Sequence, residues 1–116
     1  MKKLIEKYWE DMIIGITTQD KTKITQHFAP KATYKCRIAS DMMDIVVDDM
    51  ATSCLGYKDF LDCSKYTIDR IDKLADGSWH SVITSSVNKK PYFTASYFKF
   101  KGDKIIKLVE YYGDFE

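Results

Sequence analysis

The second half of the chain reads as consecutive β-strands joined by short turns, and this pattern constrains the fold more than any other feature. Four segments are rich in β-branched and aromatic residues, namely residues 66–74, 79–87, 92–101 and 105–112. Asp76-Gly77 is typical of a tight hairpin loop. Residues 88–91 and 101–104 supply two further turns. Such a run of neighbouring strands predicts an antiparallel meander.

The beginning of the chain has helical periodicity instead. Apolar residues recur three or four positions apart, at Ile5, Tyr8, Trp9, Met12, Ile13 and Ile16. Charged residues, Glu6, Glu10 and Asp11 among them, fall mostly on the other face. Asp20 is a suitable N-cap for a short second helix, which we expect to bury Ile24, His27 and Phe28 and to end at Pro30.

The middle of the chain is harder to interpret. Residues 32–38 are predicted to form a strand, and residues 56–65 a short helix. Between them, residues 39–55 alternate irregularly between apolar and acidic side chains, and we interpret this stretch as partly ordered cover over an opening. Because helices precede a run of strands, the fold class is α+β. A length of 116 residues fits one domain, residues 1–116.

Composition excludes several classes of function. The net charge is +1 with no cluster of basic residues, so the chain is not expected to bind nucleic acid. Acidic residues near the start interrupt any signal-peptide core, and no apolar run is long enough for a membrane span. Three cysteines without zinc spacing indicate reduced thiols and a cytoplasmic protein. Eight tyrosines suit a pocket or an interface.

Three local patterns, in order and spacing, carry a family resemblance. They are Asp20 with residues 27–34 (HFAPKATY), residues 56–60 (GYKDF), and residues 98–106 leading into residues 110–114 (EYYGD). With them the chain resembles the nuclear transport factor 2-like, or cystatin-like, superfamily and its SnoaL-like subgroup. The resemblance implies a strongly curved antiparallel sheet that wraps an N-terminal helix as a cone with an internal pocket. It also implies a homodimer through the outer sheet face.

The superfamily includes ketosteroid isomerase, polyketide cyclases, epoxide hydrolases and non-catalytic binding domains, so the fold alone does not give the function. The isomerase motif requires an Asp base on the first strand, a Tyr donor on the first helix and a protonated Asp on the third meander strand. The matching residues here are Cys36, Met12 and Ser96. Because that chemistry needs a carboxylate base and two strong donors, ketosteroid isomerase activity is rejected.

Glu110 is the leading candidate for chemistry. In the last strand Ile106, Leu108, Glu110 and Tyr112 are predicted to share one face, because side chains alternate along a strand. By the resemblance this face looks into the pocket, and SnoaL-like cyclases place an acid or base on their late strands. A carboxylate in an apolar wall would have a raised pKa and could act as a general acid or base. The alternative is a structural Glu110 paired with a cation or a Tyr hydroxyl.

Other residues are secondary candidates. His80 is a candidate proton shuttle, although such a His is more often a surface or interface residue. His27 is interpreted as a satisfied core or C-cap histidine. The predicted ligand-binding residues are Tyr8, Trp9, Met12, Tyr34, Cys36, Ser96, Phe98, Leu108 and Tyr112.

Two functional hypotheses therefore remain open. The first is a pocket protein that binds a small apolar or amphipathic molecule, with acid–base chemistry at Glu110 and no metal or organic cofactor. The Asp41–Asp49 stretch lacks the glycine and ligand spacing of a calcium loop, so no metal site is predicted there. The second hypothesis is a non-catalytic binding or dimerisation domain whose cavity is filled by its own side chains.

Overall fold

The computed structural model describes residues 1–38 and 41–114. Its helices are α1 (Lys2–Thr18), α2 (Thr22–Thr25) and α3 (Val47–Leu55). Its strands are β1 (Phe28–Ile38), β2 (Asp41–Ile45), β3 (Thr67–Lys73), β4 (Trp79–Val87), β5 (Lys90–Lys101) and β6 (Lys104–Asp114).

Helix α1 forms where the apolar spacing predicts it and lies against the concave side of the sheet. Its buried stripe includes Ile5, Tyr8, Met12 and Ile16, which follow one another at helical spacing. The helix ends where Gln19 adopts a left-handed conformation with φ 58°. Gly15 permits the sharp reversal that follows, because a Cβ atom at this position would lie 2.9 Å from the Asp20 carbonyl oxygen.

The six strands form one strongly curved sheet in the order β2-β1-β6-β5-β4-β3. The predicted meander is confirmed, since β3 to β6 follow one another as antiparallel neighbours. Glycines with positive φ, Gly77 and Gly102, occupy the turns before β4 and β6. The first strand joins the meander through β6, to which it is parallel. The α+β class and the curved sheet around an N-terminal helix are thus confirmed.

The segment between α1 and β3 differs most from the sequence-based expectation. The second helix covers only Thr22–Thr25, and the chain is already extended at Phe28, so Pro30 lies within a strand rather than at a helix end. The predicted cover over residues 39–55 contains a regular strand and helix, β2 and α3, while Ala39 and Ser40 lie outside the described residues. The helix predicted at residues 56–65 is wrong, because turns follow α3 there.

A bulge in β6 also changes one face assignment. Lys99 pairs with Lys107 but Phe100 pairs with Ile105, so Ile106 is an extra residue. As a result Ile105 is buried at 1% exposure, whereas strict alternation predicted Ile106 on the inner face. Beyond the bulge, Leu108 and Glu110 both lie inside as predicted. Among the described residues, no helix is long and apolar enough to cross a membrane.

Candidate functional site

A polar row crosses the inner face of the sheet beneath α1. The register places Cys36 of β1 opposite Glu110 of β6, Glu110 opposite Ser96 of β5, and Ser96 opposite Ser81 of β4. Ser81 and Ser96 are fully buried, and Glu110 is 3% exposed. Small side chains in the middle of the row leave space for the aromatic side chains of α1, so the curvature of the sheet and the helix together bury a carboxyl group.

Hydroxyl groups surround the Glu110 carboxyl. The Ser96 hydroxyl donates to Oε2 over 2.6 Å, and the Tyr34 and Tyr112 hydroxyls donate to Oε1 over 2.8 and 2.9 Å. The two tyrosine hydroxyls also hydrogen-bond to each other. Tyr112 is 37% exposed, whereas Tyr34 is 2% exposed, so the cluster extends from the core to the surface through Tyr112.

The three mutual contacts of this cluster require three protons. Tyr34 and Tyr112 contact Glu110 Oε1 and each other, so three oxygen pairs each need one shared proton. Two hydroxyls supply only two protons when Glu110 is ionised. A protonated Glu110 supplies the third and closes a ring of three hydrogen bonds, in which the carboxyl donates to one tyrosine and accepts from the other. These contacts fit a neutral carboxylic acid.

The electrostatics agree with this protonation state. Burial raises the pKa of Glu110, and the hydrogen bonds from Ser96, Tyr34 and Tyr112 lower it only in part, so the pKa lies above its usual range. Burial, together with the nearby Glu110, raises the pKa of both tyrosines well above 10. The Glu110 carboxyl therefore keeps its proton to a higher pH than a solvated glutamic acid does.

The thiols near the cluster are not activated. Burial raises the pKa of Cys36, and burial raises the pKa of Cys54 to about 12. Because the thiolate is the reactive form, both thiols remain protonated and weakly nucleophilic. Cys36 lies next to Glu110 in the sheet and is 4% exposed, so its prediction as an inward-facing residue agrees with the structure.

Side chains of α1 fill the concave side above this row. The Trp9 indole N–H donates to the Ser81 hydroxyl over 3.2 Å, and Tyr8 lies edge-on to the Phe98 ring at 5.7 Å. Of the predicted ligand-binding residues all but Tyr112 are buried, namely Tyr8, Trp9, Met12, Tyr34, Cys36, Ser96, Phe98 and Leu108. Of these buried residues, Tyr34 and Ser96 contact the Glu110 carboxyl and Cys36 pairs with Glu110 in register, and the binding role of the whole set stays a prediction.

The Tyr8 hydroxyl is an exception to this satisfied interior. Tyr8 is 1% exposed, and its hydroxyl has no hydrogen-bond partner among the described residues. A buried polar group without a partner costs about 1–3 kcal/mol of stability. Burial raises the pKa of Tyr8, so the hydroxyl keeps its proton.

The structure does not bring His80 to Glu110. His80 pairs in register with Tyr97 and Asp72 on the outer face of the sheet, whereas its neighbour Ser81 faces inward. Its ring lies 4.7 Å from the Tyr97 ring, and Nδ1 lies 3.9 Å from the Asp72 carboxylate. The two predicted catalytic residues therefore lie on opposite faces of one sheet and cannot act on the same molecule.

A second buried carboxylate, Asp11, was missed by the sequence reasoning, which placed it on the polar face of α1. Asp11 is 1% exposed, and its Oδ2 lies 2.8 Å from His27 Nε2 and 3.2 Å from Gln26 Nε2. Its Oδ1 lies 3.1 Å from Lys7 Nζ. Burial opposes ionisation, but the hydrogen bonds from His27 and Lys7 and their charges lower the pKa of Asp11. The interpretation of His27 as a satisfied core histidine agrees with this pair.

A groove lies beside Tyr34. It has a volume of about 600 Å³ and runs between β1, α2 and the junction of β2 with α3. Its lining is mainly apolar and includes Phe28, Ala32, Tyr34, Ile45 and Val47. A second groove of about 540 Å³ is formed by residues 59–62, 65, 86, 88 and 89. Glu110 lines neither of these two grooves, whereas Tyr34, whose hydroxyl contacts the Glu110 carboxyl, is among the residues that line the first.

Metal binding has no support in the described part of the chain. No group of three or more His, Cys, Asp or Glu side chains is arranged to hold a metal ion within residues 1–38 and 41–114. The acidic side chains of β2 and early α3 are exposed instead, and Asp48 pairs with Lys21 at 3.0 Å.

Comparison with known proteins identifies the fold. No protein-family model matches the chain, and no curated protein matches it. A nuclear transport factor 2-like protein of unknown function from Burkholderia xenovorans superimposes with a TM-score of 0.71 at 16% identity, covering 99% of this chain and 84% of that one. A protein of unknown function with cystatin-like fold from Methylobium petroleophilum gives 0.71 at 17% identity, covering 100% and 77%.

An enzyme of polyether formation is also similar in structure. The epoxide hydrolase/cyclase-like enzyme SalBIII, which acts in pyran ring formation in the polyether salinomycin, superimposes with a TM-score of 0.72 at 14% identity, covering 97% of this chain and 89% of that one. Identities this low support a shared architecture and not a shared activity. The helix order, the curved sheet and these superpositions together establish that the chain has the nuclear transport factor 2-like, or cystatin-like, fold.

Proposed function

We propose that this protein binds a small, largely apolar molecule in the groove beside Tyr34 and donates a proton to an oxygen atom of that molecule. The observation that carries the proposal is the buried Glu110 carboxyl, which Tyr34 connects to the groove through a 2.8 Å hydrogen bond. The reaction class is acid-assisted isomerisation, cyclisation or hydrolysis. The groove volume is within the usual range for small-molecule sites.

Tyr34 is the group that would touch the bound molecule, and Glu110 would hold the proton behind it. When Tyr34 donates its proton to a ligand oxygen, Glu110 replaces that proton across the existing hydrogen bond. Tyr112 contacts both groups and is partly exposed, so solvent can reprotonate the cluster through it. The epoxide hydrolase/cyclase-like neighbour supports the class, since opening an epoxide requires a proton on the ring oxygen.

Binding in the groove can be tested with N-phenyl-1-naphthylamine, a neutral apolar dye that fluoresces when it leaves water. We expect the wild-type protein to enhance its fluorescence, and Ala32→Trp to abolish the enhancement by filling the groove. Ala75→Trp adds the same side chain at an exposed turn and serves as the matched control. Equal enhancement by all three proteins would place the dye elsewhere and contradict the groove as the binding site.

Proton donation can be tested with cyclohexene oxide, whose opening to the diol is measured by gas chromatography. We expect Glu110→Gln and Tyr34→Phe to lower the turnover of the wild-type protein by about 100-fold or more. Tyr57→Phe, at an exposed turn after α3, should leave turnover unchanged. Full turnover by Glu110→Gln would remove Glu110 from the mechanism.

A second candidate function is supported by the filled interior. The aromatic side chains of α1 and β5 occupy the space that a cavity would need, and Glu110 lines neither groove. In this case Glu110 would be structural, and the chain would be a non-catalytic binding or dimerisation domain. Dye binding in the groove without any turnover of the epoxide would favour this candidate.

Both candidates include a homodimer formed through the outer sheet face. The central part of this face carries apolar side chains that are only partly buried, including Val82, Ala95, Tyr97, Val109 and Tyr111. An exposed apolar surface of this kind is typical of an interface. Light scattering should give twice the 13.5 kDa chain mass. Tyr97→Glu should give the single-chain mass, whereas Tyr57→Glu, also at an exposed aromatic residue, should not.

The proposal also includes a cytoplasmic location for the protein. All three cysteines, Cys36, Cys54 and Cys63, are unpaired, as expected in a reducing compartment. Cell fractionation should therefore recover the protein with cytoplasmic markers, and recovery with secreted or membrane fractions would contradict the location.

A further inference from the structure

The two oxygen atoms of the Glu110 carboxyl have different partners. Oε1 contacts the Tyr34 and Tyr112 hydroxyls over 2.8 and 2.9 Å, and Oε2 contacts the Ser96 hydroxyl over 2.6 Å. Ser96 is fully buried on β5 and pairs in register with Glu110 of β6. The hydroxyl on Oε2 therefore comes from a different strand than the two hydroxyls on Oε1, and it lies deeper in the core than Tyr112 does.

The number of protons assigns the acid proton to one of these two oxygens. The three contacts among Oε1, Tyr34 and Tyr112 need three protons, of which the tyrosines supply two and Oε1 carries the third. Oε2 then has no proton, so its contact with Ser96 uses the proton of the Ser96 hydroxyl. Ser96 is therefore the donor, and Oε2 is the carbonyl oxygen of the neutral acid.

Glu110 by itself does not determine this arrangement. The last side-chain torsion of a glutamate is roughly two-fold, so half a turn exchanges the two oxygens at nearly equal energy. A proton on the oxygen beside Ser96 would point into the core of the sheet. A proton on the other oxygen points to the tyrosines, and Tyr34 lines the groove. The partner of Oε2 therefore decides on which side of the carboxyl the acid proton lies.

We propose that Ser96 is a positioning residue, whose hydroxyl occupies Oε2 and keeps the acid proton on Oε1, where it faces Tyr34. Its part in proton transfer rests on the proposed function, whereas the orientation of the carboxyl does not. When Tyr34 gives its proton to a ligand oxygen, the bond between Oε1 and its proton breaks and that proton passes to Tyr34. Ser96 keeps its own proton and stabilises the carboxylate left behind, because a hydrogen bond to a charged acceptor is the stronger one.

Titration of Glu110 in the folded protein tests the positioning role without any substrate. The carboxyl carbons of the glutamates are labelled with ¹³C and followed by NMR, and the resonance missing from Glu110→Gln identifies Glu110. Ser96→Ala removes only the hydroxyl. Because the Ser96 hydrogen bond favours the ionised form of Glu110 and so lowers its pKa, we expect the titration midpoint of Ser96→Ala to move to higher pH.

Ser81→Ala is the matched control for this titration. Ser81 is also fully buried and lies opposite Ser96 in the register, but its hydroxyl accepts from the Trp9 indole. The control therefore removes the same group from the same inner face, and the midpoint of Glu110 should stay at the wild-type value. The proposal is overturned if Ser96→Ala leaves the midpoint unchanged or lowers it, or if Ser81→Ala raises it equally.

Turnover of cyclohexene oxide gives a second readout. Ser96 lines neither groove, so Ser96→Ala should leave KM unchanged and lower kcat about tenfold, as expected for one lost hydrogen bond to a charged group. A change in KM alone would contradict the positioning role. If the wild-type protein does not open the epoxide, the proposed acid chemistry is wrong while the titration still decides on Ser96. Normal wild-type turnover with an unchanged titration in Ser96→Ala would contradict only the role of Ser96.

Discussion

Two carboxyl groups are buried in the described part of this protein, and their surroundings shift their pKa values in opposite directions. Glu110 is 3% exposed and Asp11 is 1% exposed, so burial penalises ionisation in both. The partners of Glu110 are three neutral hydroxyls, and its pKa is raised. The partners of Asp11 include Lys7 and His27, and its pKa is lowered.

When a carboxyl group is buried, the charge of its hydrogen-bond partners therefore decides whether its pKa is raised, as in Glu110, or lowered, as in Asp11. A hydroxyl donates one hydrogen bond without neutralising the carboxylate, so it offsets desolvation only in part. A cation adds Coulomb attraction to its hydrogen bond. Asp11 is therefore a structural anion that joins α1 to the start of β1, while Glu110 is a proton-holding group in the middle of the sheet.

The largest effect should come from Asp11→Asn, which removes the charge and keeps the shape. We expect a loss of about 3 kcal/mol in the free energy of unfolding, because the buried carboxylate loses its charge-assisted hydrogen bonds with His27 and Lys7. Urea unfolding at neutral pH measures this loss. Glu10→Gln, at the next position of α1, alters only an exposed carboxylate and should stay within about 0.5 kcal/mol of the wild-type protein. Equal effects of the two variants would contradict the role of Asp11.

The pH dependence of stability should separate the two carboxyls. The folded pKa of Asp11 lies below 3.8, so its contribution is complete above that pH and is lost as pH falls through the folded pKa. The folded pKa of Glu110 lies above 4.5, so its contribution is complete below that pH and is lost as pH rises through the folded pKa.

Unfolding free energies measured from about pH 3 to about pH 8 test this assignment. Glu110→Gln should remove the loss of stability above pH 4.5 and keep the loss of stability at acid pH. Asp11→Asn should remove the loss at acid pH and keep the loss above pH 4.5. The assignment is wrong if Glu110→Gln instead changes the loss of stability at acid pH.

Glu110→Gln should itself have a smaller effect than Asp11→Asn. Gln is close in shape to a protonated Glu and is also neutral, so we expect a change within about 1 kcal/mol at neutral pH. Urea unfolding of both variants under one condition gives the comparison directly. A loss as large as that of Asp11→Asn would mean that Glu110 is ionised in the folded protein.

Tyr112→Phe should have the smallest effect. The variant removes one proton from the ring of three hydrogen bonds but leaves Tyr34 on Glu110. Because Tyr112 is partly exposed, water can replace its hydroxyl, and we expect a loss of about 0.5 kcal/mol. Tyr34→Phe removes the buried hydroxyl and should lower the free energy of unfolding by more than Tyr112→Phe. An equal loss in the two variants would show that water cannot reach this end of the cluster.

Much of the fold could be predicted from the sequence, because local patterns determine it. Apolar residues at helical spacing specify α1, and turn residues between β-rich segments specify the meander. The helix predicted at residues 56–65 is wrong, since Tyr57 and Phe60 have helical spacing but are exposed in turns. The helix that forms instead, α3 at Val47–Leu55, was missed. Asp48 and Asp49 in the first turn of α3 were the available signal, since acidic residues favour a helix start.

The candidate site could be predicted only in part. Strand alternation placed Glu110 on one face with Leu108 and Tyr112, and the resemblance assigned that face to the interior and grouped Tyr34 and Ser96 with it. Alternation could not show that His80 faces outward, because Trp79 and His80 are neighbours and either could have faced in. Nor could the helical pattern show that Asp11 is buried, since that depends on the His27 side chain brought in by the next element.

By itself, the sequence determined α1, the four-stranded meander and the α+β class, because these depend on periods of two and 3.6 residues. Only the tertiary structure decided that Glu110 meets hydroxyls rather than cations, and that Asp11 meets Lys7 and His27. Protonation depends on which distant side chains converge within hydrogen-bond distance, and the packing of α1 and β1 against the sheet sets that convergence.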